Sequence, residues 1–431
     1  MEGKDQLSKR RFLYFRCFSD IEVNFNSNLT VIAGINGSGK STVLEAAAIA
    51  AGTLSFAMDG LTNYGIKKND VRNQYFSAGS GVDVQPQYPV QIHAAGNIDG
   101  KEISWTRTLR SPKGRCGLSE AKELASIADE YLKRMRGGDT KLILPVISYY
   151  STRRLWNQYR EKKNDTFEKS TRSNGYIDSL DGAANDRLMI KWFQKMTIQQ
   201  YQRNEDIPEY LAVRGAVEQC LQSITQCPNA HIQFNLDTTE IDVIYTDMDR
   251  ESVRLPVSQI SDGYKCTISL IADTAYRMAA LNPQLLDGVL KRGYEIVLID
   301  EIDLHLHPSR HQLILDNLVN IFPKVQFIVS THSPSVIQSI QNENLILLAD
   351  SKVLTVSNET YGKDTNTILR EVMNVSQRPQ PVADLFARFY QCIDEEDYNT
   401  AKTVLSTINH IVGDNDPELN ACMVRLELEQ M

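Results

Sequence analysis

The run LTVIAGINGSGKST, residues 29–42, constrains this chain more than any other stretch. Residues 34–41 match G-x-x-x-x-G-K-[ST] without a mismatch, after a short apolar strand and before an Ala-rich helix. Glycines let such a loop curl until its N–H groups point at phosphate oxygens. The residues placed to bind ATP are then Asn36, Gly37, Ser38, Gly39, Lys40, Ser41 and Thr42. Lys40 reaches the β- and γ-phosphates, and the Ser41 hydroxyl is a ligand for Mg²⁺. The fold class that follows is α/β, a P-loop nucleotide-binding core.

The other half of such a site stands far downstream, in YEIVLIDEIDLHLHP. Residues 296–299 are an unbroken apolar run, as in a parallel strand buried on both faces, and it ends in Asp300 and Glu301. The first acid is the candidate Mg²⁺ holder, and Glu301 is the candidate base that polarises the attacking water. A second buried strand, VQFIVSTHSP, brings His332 to its carboxyl end, a position suited to the γ-phosphate or the water. His305, His307 and His311 show no fourth ligand at matching spacing and read as packing and turn residues.

Between the two halves lies QISDGYK, a Ser-Asp-Gly turn opening an apolar-faced helix. A helix N-terminus holds anions through its free N–H groups and dipole. This turn resembles the signature loop of ABC-class ATPases, which covers the γ-phosphate held by a second subunit. Ser261 and Gly263 match that pattern, whereas Asp262 takes its first glycine position. Asp262 would repel phosphate unless it turned away to cap the helix, and Lys265 is placed to offset its charge.

A length of 431 residues calls for two to three domains. Residues 1–110 and 231–360 are expected to form the two halves of an ABC-type ATPase head with a mixed or parallel sheet. Residues 111–230 form an inserted, largely helical region with one core strand. Residues 361–431 form a helical tail with apolar stripes such as Leu385, Phe386, Phe389 and Ile393, then Leu419, Cys422, Met423 and Leu426. Residues 88–109 predict a hairpin around NIDGK, and 118–135 an amphipathic helix. No heptad run persists in the helical stretch near 183–223, which excludes a long coiled coil. Scattered cysteines, a polar start and the lack of a long apolar run point to a cytoplasmic protein with no membrane partner. A net charge of −8 argues against bulk electrostatic binding of nucleic acid.

Phrases along most of the chain (VISYYSTRRLW, GYIDSLDGAANDRLMIKWFQKM, LIDEIDLHLHP, VSTHSP, YGKDTNTILREVMNV) resemble one family. It is the PtuA-type ATPases of Septu anti-phage systems, also found as effector ATPases in some retrons. The resemblance implies an ATP- and Mg²⁺-dependent regulator that forms a homodimer or higher homo-oligomer through shared nucleotide sites. It implies a separate HNH nuclease of the PtuB kind as partner, and nucleic acid met through that complex or through a retron reverse transcriptase. The alternative is a Rad50/SMC-like repair ATPase acting on DNA directly. A nuclease of the OLD kind would need a Toprim domain after the ATPase, and the residues after 350 read as helices.

Overall fold

The computed structural model describes residues 6–58, 64–78, 81–152, 172–182, 186–246, 252–354, 359–373, 375 and 378–429. The chain forms two units, Met1–Gly362 and Lys363–Met431. The first begins with β1 (Gln6–Leu13), β2 (Asp20–Asn24), β3 (Leu29–Ala33) and α1 (Lys40–Phe56). Two hairpins follow, β4 (Asn73–Ala78) with β5 (Gly81–Pro86), and β6 (Val90–Ile98) with β7 (Lys101–Leu109). Next are α2 (Lys122–Arg136), β8 (Val146–Tyr150), α3 (Asp186–Arg203) and α4 (Pro208–Thr225). β9 (His231–Asn235), β10 (Glu240–Thr246) and β11 (Ser252–Pro256) lead into α5 (Asp262–Leu281) and the single turn α6 (Val289–Arg292). The unit closes with β12 (Glu295–Ile299), α7 (Pro308–Ile321), β13 (Val325–Thr331), α8 (Pro334–Ile337), β14 (Leu345–Ala349) and β15 (Lys352–Leu354).

The main sheet has the order β15-β14-β3-β13-β12-β8. Its pairs are parallel except β14 with β15, so the sheet is mixed. Every residue of β8, β12 and β13 is buried, which explains why these strands are mostly apolar. β8 is the last strand of the sheet, and residues 172–182 cover it: Tyr149 N donates to Ser179 O at 2.8 Å and Ser151 N to Gly182 O at 2.7 Å. Residues 153–171, which follow β8 and include Arg153 and Arg154, lie outside the described residues.

A second, antiparallel sheet has the order β2-β1-β6-β7. Its β6–β7 turn places Asp99 and Gly100 at φ 51° and 77°, the backbone that an Asp-Gly hairpin demands. α1 lies between the two sheets, touching β8, β12 and β13 on one side and β1, β6 and β7 on the other. That is why it carries small Ala46, Ala47, Ala48, Ala50 and Ala51, all nearly without exposure, rather than one apolar stripe. Trp105 Nε1 on β7 donates to Ala50 O at 3.0 Å and ties the layers together. The helical stretch near 183–223 is two helices, and the new start falls at Ile207–Pro208, where proline suits a first turn.

The second unit, taken by itself, starts with a turn, α9 (Thr365–Thr367), capped by the Asp364 carboxylate. α10 (Gln380–Asp394), α11 (Tyr398–Val412) and α12 (Pro417–Glu429) follow. Phe386, Phe389, Ile393, Ala401, Val404, Ile408, Leu419, Cys422 and Leu426 form their common core. Met423, read as part of the third stripe, is instead 45% exposed, because it projects from α12 beside the packed face. Arg378 joins the ends of this bundle through Asp416 and Glu418 at 2.8 Å, with its guanidinium over the Phe386 ring.

Candidate functional site

β3 delivers the chain into the loop at residues 34–39. A side chain at Gly34 would collide with the Leu348 carbonyl of β14, and one at Gly39, where φ is 104°, would collide with the Phe18 ring. Lys40 opens α1 and folds back, its Nζ donating to Gly34 O at 2.8 Å and Ile35 O at 3.0 Å. Burial holds its pKa below the ordinary value, while Glu301, Asp300 and Asp303 pull it back up. Thr42 is buried, and Asn36, Gly37 and Ser41 face solvent at the loop's mouth. Ser38 is buried, and its Oγ has no hydrogen-bond partner. A phosphate oxygen accepting from that hydroxyl and from Lys40 would satisfy both, so the loop fits the group the sequence implies.

β12 carries Asp300 and Glu301 to the same sheet edge. The Asp300 amide donates to Tyr150 O at 2.8 Å, and its Oδ1 accepts from Ser330 Oγ at 2.6 Å. Glu301 takes a left-handed backbone, φ 49°, an uncommon conformation for a non-glycine and frequent where function fixes a turn. β13 lies between β3 and β12, so His332, the residue after its last, stands beside the acids. His332 Nδ1 is 3.8 Å from Glu301 Oε1 and 3.9 Å from Asp303 Oδ2, ion-pair reach rather than hydrogen bonds. The ring is 48% exposed and so remains open to a ligand.

Asp303 is the residue that sequence reasoning missed. It is buried, accepts from Thr331 Oγ1 at 2.6 Å, and adds a third carboxylate near Lys40. The only signal was a further acid on the tight turn after Asp300 and Glu301. His307 caps α7, and His311, inside α7, bridges Ser333 Oγ at 2.8 Å and Leu306 O at 2.9 Å. Among the described residues no cluster of three or more His, Cys, Asp or Glu could hold a metal alone. Mg²⁺ at a nucleotide site needs fewer, since substrate phosphates supply ligands, and Ser41 and Asp300 have the oxygen chemistry for it.

The ABC-like loop opens α5 beside the turn that follows Glu301. Ser261 is the exposed N-cap of α5 but makes no side-chain cap hydrogen bond. Asp262 does not cap the helix; it is the first helical residue, exposed at the positive end of the helix dipole. Gly263 is buried, and a side chain there would collide with the His305 carbonyl. The α5 terminus is thereby pressed onto the turn that follows Glu301. Lys265 is half-buried, its amide bonded to Ser261 O at 2.9 Å.

Two families match in tandem. "AAA domain" covers residues 13–225, and "AAA domain, putative AbiEii toxin, Type IV TA system" covers residues 232–338. The Retron Vc95 probable ATPase of Vibrio cholerae serotype O1 biovar El Tor is 28% identical over 85% of this chain and 78% of its own length. Septu protein PtuA of Bacillus thuringiensis is 25% identical over 88% of this chain and 87% of its own. Among solved structures, an SMC head domain from Thermotoga maritima is similar at 15% identity and a TM-score of 0.42, covering 82% of this chain and all of that one. The chain is an AAA/ABC-like P-loop ATPase, related over most of its length to a retron probable ATPase and to Septu PtuA.

Proposed function

We propose that this chain binds ATP with Mg²⁺ at residues 34–42 and hydrolyses it as the regulatory subunit of an anti-phage complex. In this reading it forms a homodimer or higher oligomer through composite sites and controls a separate HNH nuclease. The observation that carries the nucleotide part is the convergence of an unpartnered buried Ser38 hydroxyl, the folded-back Lys40 and three carboxylates on the turn after β12. The likeness to a retron ATPase and to Septu PtuA supports the defence setting.

In the bound state Lys40 turns from its loop carbonyls to the β- and γ-phosphates, exchanging two neutral acceptors for anionic ones. Ser41 and Asp300 would hold Mg²⁺, whose charge offsets that of the phosphates. Glu301 polarises the water, and His332 steadies the γ-phosphate. Ser261, Gly263 and Lys265 present an α5 terminus to the nucleotide of another subunit.

Lys40→Ala should abolish most equilibrium binding of labelled ATP. Glu301→Gln should retain ATP but lower turnover by about 100-fold or more, as expected for loss of a general base. Parental turnover in Glu301→Gln would remove the base from this scheme. An HNH nuclease encoded beside this gene should co-purify with the chain, and its failure to do so would remove the partner.

A further inference from the structure

β13 ends in Ser330 and Thr331, both without solvent exposure, on the strand between the phosphate loop and the acids. Two neighbouring hydroxyls at the end of an otherwise mostly apolar strand need partners. Ser330 Oγ donates to Asp300 Oδ1 at 2.6 Å, and Thr331 Oγ1 donates to Asp303 Oδ1 at 2.6 Å. A hydroxyl has a single hydrogen, so in each case it is committed to a carboxylate. Each oxygen also accepts a backbone amide, Glu301 N on Ser330 at 2.9 Å and Ser333 N on Thr331 at 3.0 Å. A third tie runs from Ile302 N to Ser330 O at 2.9 Å.

The effect is to fix both ends of the turn that carries Glu301. Ser330 sets the rotation of the Asp300 carboxylate and pins the Glu301 amide, in the very peptide whose φ is left-handed. Thr331 fixes Asp303, one of the two carboxylates that flank His332. Apolar side chains of similar size would fill the same space, so packing alone does not call for hydroxyls here.

We propose that Ser330 and Thr331 are a pair of positioning residues. They hold Asp300, the Glu301 peptide and Asp303 in the geometry that hydrolysis of the γ-phosphate requires. This rests on the nucleotide reading above. Neither hydroxyl needs to touch the reacting atoms, because each acts through a carboxylate or an amide.

The test uses the full chain, with Ser330→Ala, Thr331→Val and Thr331→Ser, and Glu301→Gln as reference. Thermal melting, equilibrium binding of a fluorescent ATP analogue with and without Mg²⁺, and turnover are measured for each. Binding without Mg²⁺ should match the parent, while turnover in Ser330→Ala and Thr331→Val should fall about 10- to 100-fold, as for groups that orient catalytic ligands. The Mg²⁺ concentration giving half-maximal retention of the analogue should rise in Ser330→Ala but not in Thr331→Val. Thr331→Ser, which keeps the hydroxyl, should restore turnover. Parental turnover in both hydroxyl-lacking variants, with Glu301→Gln inactive, would overturn the proposal and leave the site reading standing. Loss of analogue binding together with a lowered melting point would also overturn it, as purely structural hydroxyls would behave so. Parental turnover in Glu301→Gln would instead remove the reading on which the proposal rests.

Discussion

Glu295 begins β12 with 1% exposure, an acid at the base of the strand that ends in the site. Ser148 Oγ donates to one of its oxygens at 2.9 Å, while the other, Oε2, has no partner. Burial pushes its carboxyl from 4.5 up to about 8, against the smaller pull of the Ser148 bond and of Arg277. The folded chain therefore keeps this proton where an unfolded chain has lost it. Between those two values the folded state binds more protons, so stability falls as pH rises, and the loss is complete above about 8. Glu295→Gln removes that slope. Its melting point relative to the parent should climb as pH is raised through this window and then level off. A pH-independent difference would mean that Glu295 is already ionised in the fold.

Among the elements, α5 joins the two motifs that stand farthest from each other in role. Gly263 seats its first turn on the His305 carbonyl, so the helix terminus packs directly against the turn after Glu301. If that terminus serves another subunit's nucleotide, Ser261→Arg should spare ATP binding yet block the closed dimer, by bulk over the free N–H groups. Mixing it with Lys40→Ala chains leaves one undamaged composite site per heterodimer, so hydrolysis should partly return. No recovery in subunits shown to exchange would count against sites shared between chains. Much of this was legible. The phosphate loop, the two buried strands, the Asp-Gly hairpin and the tail stripes are each written in a few consecutive residues or in one period. The roles of Ser330, Thr331 and Asp303 were not, because they depend on β13 lying between β3 and β12, a pairing across distant segments. α1 hid its burial as well, since a helix enclosed by two sheets has no polar face to mark a period. Gly263 could be read as a motif glycine, but its steric reason appears only once His305 is beside it.

At the scale of the molecule, the residues of the nucleotide site all fall in Met1–Gly362, and Lys363–Met431 has a hydrophobic core of its own. Truncation after Gly362 should accordingly leave a folded protein that binds ATP. With the tail as the docking element for a nuclease, that protein should no longer retain its partner in a pull-down. Circular dichroism and ATP binding check the first expectation. A folded truncation that still carries the nuclease would end the docking idea. The order of strands also dictates how this molecule must come into being. β3 has no partner nearby: Leu29 pairs with Phe327, and Val31 with Leu345. β1, by contrast, finds β2 and β6 within the first stretch to be synthesised. The antiparallel layer can therefore form early on the ribosome and cover one side of α1, whereas the phosphate-loop strand and the α1 face toward the main sheet wait uncovered until most of the unit has emerged. Such late, long-range closure slows folding and leaves sticky intermediates. A nascent chain cut before β13 would carry the whole phosphate-loop sequence and still lack both strands that flank β3.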